Sequence, residues 1–567
     1  MIASAAGRSG LSKNFPDLKT ILLWLGVLAL PWIWLWTKWV NPSFSMVDDA
    51  ADLMLFRHMR EDFGNWLTTE GLHGEIGNGR LRPLYWLFRF VFYYLPFGEN
   101  PASWQAVHYV LLALILTAVF VLMKRLTQSS VCAFTACALW TINPKTMENF
   151  CRFGPAECWQ LLWFSLGMLI FYFLLQGKNE SKPSKNTLYA LLFTVLFCLY
   201  FTKETSVLLM PVSAVMALLS VTAKRNRRIF IVFFGMNVLL FALQRLLSPP
   251  LTGYSTAFSF SAKTIWDNLN RYPGRVQWGL VFLPATAFFL YRIIRDRLQN
   301  RKPFSLDPLT CWELLFLALG IIFFLILLPW AQPTPRYLVV TDFFFSLFMA
   351  VELRNAFLFI NAKWPIDEKS SSPRLVRGAA LAGIMLLAWF SQAELFWDMR
   401  YAFAQARQET PVQALELFAK NAKPNAKVLY LEVENEIVAA AAIYLHDCFG
   451  RPDIRLYSFS PYASELQKKG VNVIPLTQRD WPGVLQDMDY LYWPHRGTLR
   501  AWIDQFHAQL MVRLMPTPYR AALKKAYENL YLPLPHGLSE GTQIWEIDRT
   551  KLAPAVPGKI LTGQTNN

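Results

Sequence analysis

Residues 20–49 read TILLWLGVLALPWIWLWTKWVNPSFSMVDD, and this stretch decides the fold. Its first part, residues 20–40, is an almost unbroken apolar run with the length that an α-helix needs to cross a bilayer, about 20 residues. The run lacks the small-residue cleavage site of a signal peptide, so the sequence predicts that it stays in the protein as a membrane helix. Two adjacent carboxylates, Asp48 and Asp49, follow shortly after it. Carboxylates at the end of a membrane helix have a high desolvation cost unless water or a cation stabilises them, and such a cost is usually accepted where a reaction requires the carboxylate.

Asp48 and Asp49 are therefore candidate active-site acids. Consecutive residues do not share one helix face, so at most one of the two easily points into a given site. The alternative is a solvated helix cap, because an Asp side chain at a helix start accepts hydrogen bonds from free backbone amides. On the local sequence alone the cap is the commoner role, and the other parts of the chain must decide between the two.

The composition indicates a membrane protein. Of the 567 residues, 54% are hydrophobic and only 17% are charged, whereas soluble domains contain about 25% charged residues. The formal net charge is +16, but Lys and Arg cluster in short segments between apolar runs. This is the pattern of cytoplasmic loops and not that of a nucleic-acid groove, which excludes nucleic acid as the expected partner. The 7 cysteines form no CxxC pair and no zinc-ligand spacing.

The apolar segments predict a mostly α-helical, polytopic membrane protein with about eleven transmembrane helices. The predicted spans lie near residues 20–40, 104–123, 129–143, 158–176, 187–202, 205–222, 229–247, 277–294, 312–330, 336–353 and 378–397. With a cytoplasmic N-terminus, the loops rich in Lys and Arg all fall on the cytoplasmic side, as the positive-inside rule requires. The long loop at 41–103, the loop at 248–276 and the C-terminal part of the chain then face outward.

The chain divides into two predicted domains, a transmembrane domain over residues 1–400 and a C-terminal domain over residues 401–567. After about residue 401 the long apolar runs stop, and short strands alternate with helices. Strands are predicted at 427–433, 455–459, 471–476 and 490–493. This alternation indicates a small, soluble α/β domain with a partly parallel sheet, which the predicted topology places in the periplasm.

Five groups of short motifs, in order along residues 20–350, carry a family resemblance. They are Val47-Asp48-Asp49; Arg80-Leu81-Arg82-Pro83-Leu84, followed by Asn100-Pro101 and His108; Asn143-Pro144 with Glu148, followed by residues 154–157; Lys203-Glu204; and Pro335-Arg336-Tyr337-Leu338. The set resembles the C-type (GT-C) superfamily of integral-membrane glycosyltransferases, and most of all the bacterial relatives of protein O-mannosyltransferases and the lipid A aminoarabinose transferases. Such relatives often have Gly-Arg-x-Asp where this chain has Gly-Pro-Ala-Glu at 154–157, so Glu157 receives no role from the resemblance.

The resemblance implies a sugar donor carried on a polyprenyl phosphate or diphosphate, and hence a base for the acceptor hydroxyl and cations for the leaving phosphate. Asp49 is the first candidate for the base, with Asp48 as supporting carboxylate or the reverse. The candidates for phosphate binding are Arg336 and Lys203, followed by Arg82, Arg271 and Arg275, and the candidates for supporting roles are Glu204, Glu148 and Tyr337. The Asp pair could also hold a divalent metal ion, although no second cluster of metal ligands is visible; no other cofactor is predicted.

Several candidates also have a purely structural interpretation. Lys203 beside Glu204 is equally well explained as a local charge pair at the membrane interface. Arg336 can extend to the interface without binding a ligand. Glu148 is better explained as a helix cap or as the partner of Arg152.

The implied function is an inverting glycosyltransferase of the bacterial inner membrane. It would transfer a sugar to a hydroxyl of a surface glycolipid, glycan or secreted protein on the periplasmic face, with membrane lipids around it. One alternative is an oligosaccharyltransferase or O-antigen ligase that moves a preassembled glycan, for which the loop at 248–276 is short. Another is a transporter or flippase of lipid-linked sugars, for which the candidate charges would be expected nearer the membrane centre than at the outer helix ends.

Overall fold

The structure of the protein is a computed structural model, and every structural statement below concerns the residues that it describes. These are residues 17–32, 52–53, 56, 59–66, 81–94, 100–176, 184–219, 224–247, 259–271, 282–300, 308–330, 335–363, 409–431, 435–460, 463–468, 471–476, 481–493, 523–527, 543–548 and 550.

The first two thirds of the chain form a bundle of α-helices. In chain order they are α1 (Leu18–Ala29), α2 (Phe63–Trp66), α3 (Pro83–Tyr94), α4 (Pro101–Thr127), α5 (Ser130–Thr141), α6 (Pro144–Cys151), α7 (Glu157–Gln176), α8 (Lys185–Tyr200), α9 (Leu209–Leu219), α10 (Lys224–Leu247), α11 (Ala262–Arg271), α12 (Leu283–Asn300), α13 (Pro308–Leu325) and α14 (Val339–Lys363). Two short 3₁₀ turns, Glu204–Leu208 and Pro335–Leu338, precede α9 and α14.

Within the described residues, five helices are long and apolar enough to cross a membrane. They are Pro101–Thr127, Glu157–Gln176, Asn226–Leu247, Pro308–Leu325 and Arg336–Ile360. Further apolar helices, such as α5 and α8, are shorter, with 12 and 16 residues. The protein is thus a multi-pass membrane protein, and the figure of eleven spans remains a prediction. The span predicted at 378–397 and the start of the loop at 41–103 lie outside the described residues.

Local sequence sets where these helices begin and end. Asn100 accepts a hydrogen bond from the Ala102 amide through its side chain, and Pro101 follows at the first helical position of α4, where its missing N–H costs nothing. Asn143 begins α6 in the same way, with Pro144 behind it. The Asn-Pro pairs therefore fix two helix starts at the same end of the bundle.

The interior of the bundle is apolar and rich in aromatic side chains. The Trp140 ring of α5 packs edge-on against Phe343 of α14, with ring centroids 5.1 Å apart. Gly320 of α13 lies directly against Phe345, and a Cβ at this position would overlap the ring. A glycine is therefore needed there for α13 and α14 to pack this closely.

A buried charge cluster lies between α12, α13 and α14. Arg292 contacts Glu313 at 2.7 Å and Glu352 at 2.6 Å through the same guanidinium nitrogen, and the Asn355 amide donates to Glu313 at 2.6 Å. Glu313 and Glu352 are 0% and 1% exposed. One guanidinium thus contacts two carboxyl groups that solvent does not reach.

The C-terminal part of the chain contains a six-stranded sheet with the order β3-β2-β1-β4-β6-β5. The strands are β1 (Lys427–Tyr430), β2 (Arg455–Ser458), β3 (Val473–Pro475), β4 (Tyr490–Trp493), β5 (Leu523–Tyr527) and β6 (Gln543–Ile547), and the helices are α15 (Glu409–Asn421), α16 (Asn435–Ile443), α17 (Ala463–Lys468) and α18 (Trp481–Asp487). Strands β1 to β4 pair in parallel, and β6 joins β4 antiparallel. The helices between parallel strands act as the crossover connections that parallel pairing requires.

This sheet domain packs against the membrane bundle. Phe56 of the first long loop, Trp104 at the start of α4 and Phe153 belong to the same buried hydrophobic cluster as Phe418 of α15 and Tyr444. The C-terminal part and the first long loop therefore lie at the same end of the bundle, where α4, α6, α7 and α14 begin.

Candidate active site

Three chain junctions meet at this end of the bundle, and each brings one basic residue. The start of α3 carries Arg82, the segment between α8 and the Glu204–Leu208 turn carries Lys203, and the Pro335–Leu338 turn carries Arg336. The Leu84 amide donates to the Phe201 carbonyl at 3.1 Å, which joins the first two junctions directly. We call Arg82, Lys203 and Arg336 the cation cluster.

Lys203 forms a buried ion pair with Glu157, the first residue of α7. Lys203 Nζ lies 3.0 Å from Glu157 Oε1, and the two side chains are 13% and 6% exposed. Lys203 and Arg336 both lie near the Tyr337 ring, with Lys203 Nζ 5.7 Å and Arg336 Cζ 5.4 Å from its centre. The structure therefore brings together residues that lie far apart in the sequence.

Arg82 lies beside the same segment. Its Nε is 4.0 Å from Glu204 Oε2, and its guanidinium stacks 5.0 Å from the Tyr85 ring centre. Arg82 is only 8% exposed, so its positive charge is held beside the Lys203-Glu204 segment and away from bulk water. Among the described candidates, Arg82, Lys203, Glu204, Arg336 and Tyr337 are brought together.

Helix α6 fixes the backbone from which Arg336 projects. The Asn149 amide donates to the Arg336 carbonyl at 2.9 Å and to the Lys145 carbonyl at 2.8 Å. Lys145 Nζ in turn lies 2.8 Å from Asp342 Oδ2, to which the Asn143 amide also donates at 2.9 Å. Because all of these side chains are buried, the Arg336 turn and the start of α14 are held in place from one side.

A second buried network ties the first long loop to the site. Arg89 of α3 pairs with Asp52 and donates to the Tyr85 hydroxyl at 2.6 Å, which donates in turn to the Gly154 carbonyl. Arg89 is 1% exposed, and such a guanidinium is stabilised only by partners of this kind. Asp52 lies three residues after Asp49 in the sequence, so this network holds the chain next to the candidate base.

The sequence reasoning did not identify Asp52, Arg89, Lys145, Asn149 or Asp342. The available signal was that each charge of this set lies within or beside an apolar segment, where a charged side chain is usually paired or functional. The partners could not be assigned, because they come from distant parts of the chain.

The other predicted site residues are not all placed. Asp48, Asp49 and Arg275 lie outside the described residues, and Arg271 is the last residue of α11, whose side chain is not described. Glu148 pairs with Arg152 at 3.2 Å, one helical turn away, as its structural interpretation predicts. No group of three or more His, Cys, Asp or Glu that could hold a metal ion occurs in the described part of the chain, and the role of the Asp pair toward a metal stays a prediction.

The cation cluster suits an anionic ligand with several oxygens. Arg offers paired donors that match phosphate oxygens, and Lys acts as a compact point charge. The nearby carboxylates Glu157 and Glu204 leave the described group with three positive and two negative side chains. The site can therefore attract an anion without holding an uncompensated charge of three when it is empty.

No protein-family profile and no curated protein matches this chain. Among solved structures, the apo form of ArnT from Cupriavidus metallidurans is similar, with a TM-score of 0.49 and 11% identity over 94% of this chain and 99% of that chain. The same protein bound to undecaprenyl phosphate gives 0.48 and 11% over 95% and 100%. The apo oligosaccharyltransferase of Archaeoglobus fulgidus gives 0.48 and 12% over 85% and 70%.

Proposed function

We propose that this protein is a membrane glycosyltransferase that moves a sugar from a polyprenyl-phosphate donor to an acceptor hydroxyl. The observation that carries the proposal is the convergence of Arg82, Lys203 and Arg336 at one end of the bundle, beside the start of apolar helices. A phosphate on a lipid chain needs cations for the phosphate and an apolar surface for the lipid. A soluble anion would need the cations but not the apolar surface.

The chemistry asks little more of the protein. The acceptor oxygen attacks the anomeric carbon and gives its proton to a carboxylate, for which Asp49 is proposed, with Asp48 beside it. The bond from the anomeric carbon to the phosphate oxygen breaks, and its electron pair stays on the phosphate. The cation cluster stabilises this developing charge, and no general acid is needed for so good a leaving group. A single displacement of this kind inverts the anomeric centre.

The position of Asp52 supports the assignment of the base. Asp49 precedes Asp52 by three residues in the sequence. Asp52 is paired with Arg89 of α3, the helix that directly follows Arg82. The candidate base is thus connected to the cation cluster through one helix.

The proposed setting is the bacterial inner membrane, with a cytoplasmic N-terminus and the site and residues 401–567 in the periplasm. The acceptor would be a surface glycolipid or glycan, or else a secreted protein. The six-stranded sheet packs against the end of the bundle that carries the cation cluster. This packing supports two proposed domains, a membrane domain of residues 1–400 and a C-terminal domain of residues 401–567 that helps to bind the acceptor.

Two measurements test the proposal. A strain without the protein should lose one sugar mass from an envelope glycolipid or a secreted protein, as measured by mass spectrometry. The purified protein, given an undecaprenyl-phosphate sugar and that acceptor, should release undecaprenyl phosphate and add the same mass. The comparison uses a strain that normally produces the protein. If deletion of its gene leaves the masses of the envelope glycolipids and secreted proteins unchanged, the proposed function is overturned.

Arg336→Ala should weaken the use of the donor far more than the use of the acceptor. Loss of one donor group from a preorganised anion site costs about 10²-fold in kcat/KM, and we expect that loss for the donor with little change in the acceptor KM. The matched control is Arg245→Ala, because Arg245 ends an apolar helix and also lies over an aromatic ring, that of Phe241, at 5.4 Å. Equal effects of Arg336→Ala on donor and acceptor would contradict a phosphate contact.

A further inference from the structure

The Glu157–Lys203 ion pair raises a question that the proposed function leaves open. Lys203 is a proposed phosphate ligand, yet its Nζ already lies 3.0 Å from a carboxylate oxygen. Glu157 is the first residue of α7, where the helix dipole favours a negative charge. One turn further, the Gln160 amide donates to Thr205 at 3.0 Å, which fixes this face of α7 against the segment after Lys203.

A fixed carboxylate in this position opposes the binding of any phosphate at Lys203. Two like charges a few ångströms apart in a partly buried site repel strongly, because little water screens them. The repulsion grows with the charge on the phosphate group. It therefore acts differently on the two lipids that the proposed reaction would handle.

The lipid product carries about half to one negative charge more than the donor. In the donor the phosphate is a diester, which carries a single negative charge. Once the sugar has left, the lipid phosphate is a monoester with a second pKa near 6, so it carries about 1.5 to 2 negative charges at neutral pH. The cations of the site would hold this product more tightly than the donor if nothing offset the difference.

We propose that Glu157 is a built-in counter-ion that weakens binding of the lipid phosphate product more than binding of the donor, and so favours product release. This inference rests on the proposed function and adds a role for a residue to which the family resemblance gives none. Glu157 acts through its charge on Lys203 and Arg336, and it takes no part in bond making.

The test uses two ligands with the same lipid chain, undecaprenyl phosphate and its methyl ester, which is a singly charged diester. Their affinities are measured at neutral pH for the full-length protein and for Glu157→Gln. We expect Glu157→Gln to bind undecaprenyl phosphate about tenfold more tightly and the methyl ester only about threefold more tightly, because removal of the carboxylate relieves more repulsion for the larger charge. In turnover, the variant should show a lower kcat and stronger inhibition by undecaprenyl phosphate.

Two further variants separate charge from structure. Glu157→Asp keeps the carboxylate and should keep the wild-type ratio of the two affinities. Glu416→Gln removes a carboxylate from an exposed ion pair with Lys420, 2.7 Å away in the C-terminal domain, and should leave the ratio unchanged. An unchanged ratio in Glu157→Gln, or weaker binding of undecaprenyl phosphate, would overturn the inference.

The wild-type protein provides a measurement that does not depend on the folding of a variant. If Glu157 offsets the extra charge of the monoester, the wild type should bind the two ligands within about threefold of each other. A wild type that binds undecaprenyl phosphate much more tightly than the ester would contradict the role of Glu157 and leave the proposed function standing. Binding of neither ligand would instead remove the proposed function itself.

Discussion

Asp49→Asn is expected to lower the rate of sugar transfer by about a thousandfold. A positioned general base contributes about 10² to 10⁴ in rate, and an amide of the same shape cannot take the proton of the acceptor hydroxyl. Folding and the binding of undecaprenyl phosphate should be largely kept, because the cation cluster and the Asp52–Arg89 pair are unchanged. The measurement is the transfer rate at saturating donor and acceptor, together with the affinity for undecaprenyl phosphate.

Asp48→Asn is the control that the chain itself offers. Two consecutive residues point in different directions, so the two variants should differ in their effect, with the larger loss marking the base. Full turnover in both variants would remove the base from this pair altogether. A loss of undecaprenyl phosphate binding equal to the loss of turnover would point to a binding role instead.

Arg292→Ala is expected to lower the free energy of unfolding by about 3–5 kcal/mol, the usual cost of removing one partner from a buried ion pair. The guanidinium is the shared partner of Glu313 and Glu352, which are almost fully buried. Without it, two buried carboxyl groups between three helices lose the cation that they share, next to the Asn355 amide that donates to Glu313. Thermal unfolding of the detergent-solubilised protein should show a clearly lower Tm.

Two variants show whether charge is the cause. Arg295→Ala removes a neighbouring arginine of α12 that lies over the Phe359 ring at 5.2 Å, and it should cost much less stability. Adding Glu352→Gln to Arg292→Ala should restore part of the loss, since it removes one of the two opposed carboxylates. Wild-type stability in Arg292→Ala would mean that the carboxylates are compensated in another way.

The long apolar segments could be predicted from sequence because their signal is local. The run at 104–123 corresponds to α4, and the run at 158–176 to α7. The predicted segments at 187–202 and 205–222 are both apolar and only two residues, Lys203 and Glu204, lie between them. The structure separates them at Lys203 and the Glu204–Leu208 turn, the one polar point between them.

The candidate site was predictable only in part. Lys203 and Arg336 could be selected because each is a cation at the end of an apolar segment, and Arg82 because it lies in a motif that carries the family resemblance. The pairing of charges in and around the site could not be predicted, because an ion pair between distant residues leaves no local pattern. Asp52 and Arg89 are 37 residues apart, and Lys145 and Asp342 are 197 residues apart; only the folded chain shows which charges meet.

Helix α14 is held by buried ion pairs near its start and near its middle. Asp342 is held by Lys145 of α6, and Glu352 is held by Arg292 of α12; ten residues separate the two, about 15 Å along the axis. To slide or turn, α14 would have to pull charged groups out of both contacts at once. It therefore serves as a rigid strut that keeps the Arg336 turn, which directly precedes it, in a fixed position relative to α6 and α12.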